Sequence, residues 1–228
     1  MKTTRARSVE QIVEDQVHQW QQLRSPKKEA APGVSVVTIS RECGSEGTHL
    51  AGLLAEALDF NFFDREIIQE IAKSAKISDR LLNTLDEKGL NMLEESIAAL
   101  VNERHLWPDQ FLRHLMKVVG AIGRHGRAVI VGRGANFALP ADSNLRIRVL
   151  APLDRRVENV SKRHQISYEE AHKLVLKTDA DRRSFSRKYF YADISEPMHY
   201  DLIINTDRLS MKAAADTVKT ALEGMQKA

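Results

Sequence analysis

The chain has 228 residues, of which 43% are hydrophobic, 29% charged and 6% aromatic, enough for one α/β domain with an appendage and a buried core. That composition excludes collagen-like, disulfide-framework and largely disordered chains, and the single Cys43 excludes an internal disulfide. Thirty-four Lys and Arg against 31 Asp and Glu leave a formal charge of +3, too small a surplus to argue for nucleic acid.

In chain order, the basic residues 1–7 are followed at once by Glu10, Glu14 and Asp15, with no apolar h-region. No apolar run approaches the roughly 18 residues that span a bilayer. The expectation is a cytoplasmic protein with neither a membrane nor a nucleic acid as partner. Residues 8–24 predict an amphipathic helix: Val9, Ile12, Val13, Val17, Trp20 and Leu23 recur at three- and four-residue steps, and Ser8 with Gln11 forms a capping box. The stripe suits a helix laid on its own domain and a homodimer contact equally. Residues 24–33 contain Pro26, Pro32 and Gly33 and read as a linker. Residues 1–33 are thus an appendage to a domain over 34–228.

The pattern changes at Val34. Residues 34–39 form a β-branched run too short for a helix, typical of a buried parallel strand. A loop with Gly44 and Gly47 follows, then a helix over 48–58 with Leu50, Leu53, Leu54 and Leu58 on one side. Residues 60–63, 128–131, 145–150 and 202–204 predict four further strands. Between 64 and 125 come only helices: one from Asp64 through Ala75, then three stripes at 78–125. Helices are also expected over 152–164, 167–190 and from Ser210 onward. Strands alternating with helices argue for an α/β fold: a parallel sheet covered on both faces.

A strand, a Gly-containing turn and a helix in succession aim backbone N–H groups and a positive helix end at one spot, which suits phosphate. Thr48 stands where such a loop places the hydroxyl that reaches Mg²⁺. Laid on G-x-x-x-x-G-K-[ST], however, residues 41–48 put Arg41 at the first glycine, Glu46 at the second and Gly47 at the lysine. A cation about 4 Å from a phosphate oxygen is worth roughly 4 kcal/mol at an effective dielectric of 20, or about a thousandfold in rate. A phosphotransferase must replace that charge, and Arg41 at the mouth of the loop is the nearest substitute. An ordinary strand-to-helix turn has the same pattern, and the residues leave both readings open.

Three segments, Thr38-Ile-Ser-Arg-Glu-Cys-Gly-Ser-Glu-Gly47, Phe63-Asp-Arg-Glu-Ile67 and Val129-Ile-Val-Gly-Arg-Gly-Ala-Asn136, resemble the cytidylate kinase-like family of P-loop nucleoside monophosphate kinases. The resemblance extends through residues 139–152 and 201–206 and covers about 34–225. It implies a three-layer P-loop kinase fold with a five-stranded parallel sheet, a helical acceptor-binding insert at 65–126 and a lid at 155–190. It further implies ATP and Mg²⁺, and transfer of the γ-phosphoryl group to CMP or dCMP. Gly44, Ser45, Glu46, Gly47 and Thr48 would surround the donor phosphates, with Thr48 also facing Mg²⁺. Asp64, Arg65 and Arg133 would bind the acceptor. Arg182, Arg183 and Arg187 match the arginine-rich lid and, with Arg41, are the catalytic candidates. Two departures stand out: the lysine is missing, and Val131 and Gly134 occupy positions where cytidylate kinase proper has aspartates. They keep two alternatives in play, a non-catalytic nucleotide-binding module and a kinase of another small phosphoacceptor.

Guanidinium groups suit phosphoryl transfer because they stay ionised and bind phosphate bidentately. Arg155, Arg156, Lys162 and Arg163 form a second basic cluster that reads as a solvated helix face. Asp179 and Asp181 are expected to pair with the lid arginines and orient them. The eight histidines show no metal-ligand spacing. Cys43 reads as a small side chain in a tight loop, and Trp107-Pro108 as packing for the helical insert.

Overall fold

The computed structural model describes residues 8–23, 34–103 and 109–226. The linker over 24–33 and Trp107-Pro108 lie outside them. Five strands, β1 (Val36–Arg41), β2 (Asn61–Phe63), β3 (Ala128–Val131), β4 (Asn144–Leu150) and β5 (Leu202–Asn205), form one sheet in the order β2-β3-β1-β4-β5. All four pairings are parallel.

Alternate residues of the central strands face opposite layers. Val37, Ile39, Val129, Val131, Ile147 and Val149 are buried with Leu50 and Leu54 of α2 (Gly47–Leu58) and with Val218 and Leu222 of α10 (Met211–Gln226). Val36, Ala128 and Ile130 face the other layer: α3 (Arg65–Lys73), α4 (Ala75–Leu82), α5 (Glu87–Glu103) and α6 (Gln110–His125). The expected helix from Asp64 through Ala75 is broken at Ser74, which takes an extended conformation and caps α4 by accepting from the Ile77 N–H. A four-residue helix, α7 (Ala135–Ala138), was not expected; it follows the turn after β3. Strand β1 runs two residues beyond its expected end, because its ladder with β4 continues to Ser40↔Arg148 and Arg41↔Val149. Those polar residues sit in a central ladder because they lie at the carboxyl edge.

The N-terminal α1 (Val9–Leu23) carries the expected capping box, Ser8 N–H to Gln11 Oε1 at 2.9 Å and Gln11 N–H to Ser8 Oγ at 3.2 Å. Val13 and Trp20 are buried in the same core as Ile71, Leu81 and Leu115, and the Trp20 ring stacks on His125 at 3.8 Å. Of the two uses expected for the stripe, the packing of Val13 and Trp20 fills the first: both are covered by their own chain. The α8 (Leu153–His164) and α9 (Tyr168–Phe190) hairpin has a small core of its own, Val157, Val160, Ala171 and Val175, against which Cys43 packs. No described helix is long and apolar enough to cross a membrane.

Chain order places the functional edge. From β1 the chain moves outward to β2, whereas from β3 it crosses over β1 to β4. The crevice above the carboxyl ends of β1 and β3 is therefore the switch point where ligands settle in open α/β sheets. The covered face of α1 is directly testable. Trp20→Ala should lower unfolding free energy by about 3–5 kcal/mol in urea titration, the usual cost of emptying a buried aromatic site; a loss under about 1 kcal/mol would show that α1 is not part of the core.

Candidate functional site

The loop from β1 to α2 is held from outside. Gly44 has φ +80°, and a Cβ there would lie 2.3 Å from the Arg156 carbonyl oxygen, so only glycine allows α8 this close. The Gly44 carbonyl accepts from Asn159 Nδ2 at 2.9 Å. Ser45 is fully buried, its hydroxyl 2.9 Å from the Glu42 carbonyl and its own carbonyl accepting from Thr206 Oγ1. Its side chain thus braces the loop from within. Glu46 is left-handed (φ +60°), and its carboxylate is taken by Arg163 at 2.5 and 2.7 Å, which neutralises the acid next to the start of α2. Gly47 and exposed Thr48 open α2, where the first N–H groups have no partner within the helix.

Arg156, read from the sequence as part of a solvated face, is 8% exposed. Its guanidinium meets Asp179 Oδ2 at 2.6 Å, Glu42 at 3.2 Å and the carbonyls of Ala151 and Cys43. Asp179 in turn accepts from the Cys43 N–H at 2.8 Å. One ion pair therefore joins α8, α9 and the loop. Neighbouring Arg155 is half exposed and pairs with Glu158 and Asp207, as a solvated face should.

Arg41 runs beneath Gly47. A Cβ at 47 would stand 2.6 Å from the Arg41 Cβ and 3.1 Å from that of Val149, so Arg41 fills the space a side chain at the lysine position would need. Its guanidinium reaches Gly132 at the end of β3, where an added Cβ would lie 2.5 Å from Nη1. Burial first, then Arg182 and Arg65, push the Arg41 pKa down to about 9, with Glu66 opposing; the group stays charged at neutral pH.

The guanidinium lines a cavity of about 150 Å³ above the switch point. Arg65, Arg133, Arg148 and Arg182 share that cavity, and Asp181 is the one acidic residue among its lining. Arg133 is left-handed (φ +54°) between two left-handed glycines, a strained turn that aims its side chain over the Phe185 ring at 5.3 Å and onto Gln69 Oε1. Burial and then Arg65 lower its pKa. Arg182 donates to the Arg41 carbonyl at 2.8 Å, and burial is the main cause of its lowered pKa.

Four sequence candidates thus meet in one place: Arg41, Arg65, Arg133 and Arg182. Three others do not. Asp64 caps α3, accepting from the Ile67 N–H at 2.9 Å. Arg183 is exposed, and exposed Arg187 pairs with Asp193 at 3.3 Å. The cause is helical phase: Arg182, Phe185 and Ser186 share one face at i, i+3 and i+4, and a step of one residue turns Arg183 and Arg187 about 100° away. Arg148 was missed. It is 7% exposed, donates to Ser40 Oγ at 2.8 Å and has Glu42 at 4.0 Å. Its signal was a charge inside a strand whose two faces are both covered. Asn136 and Ser186 were missed as well.

Among the described residues no group of three His, Cys, Asp or Glu could hold a metal ion. Mg²⁺ needs less, since it keeps several waters and takes only one or two protein oxygens beside phosphate. The exposed Thr48 hydroxyl at the start of α2 fits that demand.

Comparison with known proteins agrees with this geometry. A model of the cytidylate kinase-like family matches residues 36–208. A cytidylate kinase from Ignicoccus hospitalis is 25% identical over 190 residues, covering 83% of this chain and 99% of its own. One from Pyrococcus horikoshii is 29% identical over 189 residues, covering 82% and 88%. Among solved structures, an uncharacterized protein from Eubacterium ventriosum shares the fold with a TM-score of 0.58 at 21% identity, covering 82% of this chain and 98% of that one.

Clustered guanidinium groups short of carboxylates should respond to any small oxyanion. Inorganic phosphate at about 100 times its Kd should stabilise the protein by about 2.7 kcal/mol, a rise of about 5–10 °C in Tm by differential scanning fluorimetry. Arg41→Met keeps the stem and removes an unpaired buried charge. Its ligand-free Tm should equal or exceed that of the wild type while the phosphate-induced rise shrinks; an undiminished rise would place the anion elsewhere.

Proposed function

Because the chain belongs to the cytidylate kinase-like family, we propose that it transfers the γ-phosphoryl group of ATP to a nucleoside monophosphate, with CMP the acceptor that its relatives' names suggest. The observation that carries this reading is the cavity beside the glycine loop, where five arginines converge against one carboxylate. Two phosphates brought together there would supply the missing negative charge.

In this reading the N–H groups of Gly47 and Thr48 and the positive end of α2 hold the donor phosphates. Helices α3–α6, the insert at 65–126, carry the acceptor, and α8–α9, the lid at 155–190, close over it. Arg133 and Arg65 fix the acceptor phosphate. One of its oxygens attacks the γ-phosphorus as the bond to the bridging oxygen breaks, and ADP leaves. Arg41 and Arg182, between the loop and the acceptor, neutralise charge spread over the transferring group; Arg41 thereby serves in place of the lysine. Mg²⁺, held by Thr48 and the phosphates, would supply further charge neutralisation when bound. Arg133 and Arg182 act from a strained turn and a buried helix face, so little reorganisation is needed.

One observation favours a second reading, nucleotide binding without turnover. The Cys43 N–H is already used by Asp179, and the Ser45 N–H turns to the Glu42 carbonyl at 3.3 Å, so part of the loop faces inward. The two readings separate in one assay, ATP and Mg²⁺ with a panel of nucleoside monophosphates, following ADP release. Stoichiometric ADP and nucleoside diphosphate are expected; ATP affinity without ADP would select the second reading. Arg133→Ala should raise the acceptor KM about tenfold or more, the value of a charge-assisted hydrogen bond, and leave ATP affinity intact. Loss of ATP affinity with the acceptor KM unchanged would move Arg133 to the donor side.

A further inference from the structure

Every buried side-chain polar atom without a hydrogen-bond partner among the described residues belongs to a residue lining the arginine cavity: Nε of Arg41, Arg133 and Arg182, Nδ2 of Asn136 and Oγ of Ser186. Buried polar atoms are nearly always satisfied, so five orphans around one cavity mark a place that a polar ligand completes. The three Nε atoms are cationic and serve phosphate. The other two belong to neutral groups, Asn136 at 8% and Ser186 at 3% exposure. Each follows an arginine on its own segment, Asn136 three residues after Arg133 and Ser186 four after Arg182. Phe137 and Phe185 line the cavity beside them. Charge for a phosphate, with neutral hydrogen-bonding groups between aromatic rings, is the lining that a phosphorylated heterocycle requires.

The chemistry of the two neutral groups sets how they read that ring. Position 134 holds no side chain, since a Cβ there would lie 2.0 Å from Phe190 Cε2. The only carboxylate of the lining, Asp181, is exposed. No buried acid is therefore available to demand an amino group. An amide turned through 180°, like a rotated hydroxyl, presents either a donor or an acceptor, and no protein partner of either orphan atom commits it.

We propose that Asn136 and Ser186 are the specificity-determining residues of the acceptor site, that they read the base of a nucleoside monophosphate, and that they admit amino and oxo pyrimidines alike. The proposal rests on the nucleotide kinase reading above. Sites built on one-way hydrogen-bonding groups reject the wrong partner strongly, because a buried group is left unpaired; two-way groups impose no such penalty.

The test compares CMP and UMP as acceptors, with ribose 5-phosphate as a baseless competitor of CMP, in the wild type, Asn136→Leu and Ser186→Ala. The wild type should use CMP and UMP with kcat/KM values within about tenfold of each other. Each variant should raise the KM for both nucleotides about tenfold, one hydrogen bond's worth, and leave the ATP KM and inhibition by ribose 5-phosphate unchanged. A preference above a hundredfold for either base, unchanged KM values in both variants, or ribose 5-phosphate inhibition weakening in step with the KM for CMP would each overturn the assignment. Absence of ADP release with every nucleoside monophosphate would instead overturn the kinase reading, and this assignment with it.

Discussion

Repulsion among guanidinium groups that share one small cavity is the constraint around which this molecule is arranged. Two such charges about 6 Å apart repel by about 3 kcal/mol at an effective dielectric of 20, and burial removes much of the water that would screen them. Arg41, Arg133 and Arg182 all have lowered pKa values with burial as the leading cause. Arg182 has a partner in Asp179 at 3.8 Å; otherwise the fold holds the three together by fixing their surroundings. Arg41 is wedged between Gly47 and Gly132, Arg133 sits in a run of three left-handed residues, and Arg182 is tied to the Arg41 carbonyl. Such strain is retained where it serves a ligand.

The missing lysine acquires a physical account from the same packing. Gly47 and Arg41 exclude each other's alternatives: the arginine stem fills the space a Cβ at 47 would take, and a side chain there would displace it. A positive charge at the loop therefore arrives from the last residue of β1 and not from the first turn of α2. It also arrives on a different bearing, toward the end of β3, where Arg133 waits. A lysine in the first turn of α2 would stay at the loop, whereas Arg41 lies between the loop and Arg133.

Most of the fold was legible because its signals are periodic. Short apolar runs, β-branched in β1, marked five strands, and apolar stripes marked the helices between them, with β3 placed to the residue. The misses have local causes. Ser74 caps α4 just before the expected end of the preceding helix, and α7 is too short to show a period. In the site, residue type was legible and direction was not. Arg182 and Arg183 are indistinguishable in a basic run until the phase of α9 is known, and Arg155 and Arg156 likewise on α8. The turn around Arg133 was visible through its two glycines. Asn136 and Ser186 carried no signal, since a neutral polar residue becomes notable only once it is buried and unpaired.

The phase of α9 also decides how the two halves of the site communicate. Asp179 and Arg182 lie one turn apart on the same helix. The first accepts from the Cys43 N–H in the loop, and the second donates to the Arg41 carbonyl at the end of β1. Arg156 locks the first contact by pairing with Asp179 at 2.6 Å while donating to the Cys43 carbonyl. Moving α9 as a rigid body would therefore free both backbone groups together.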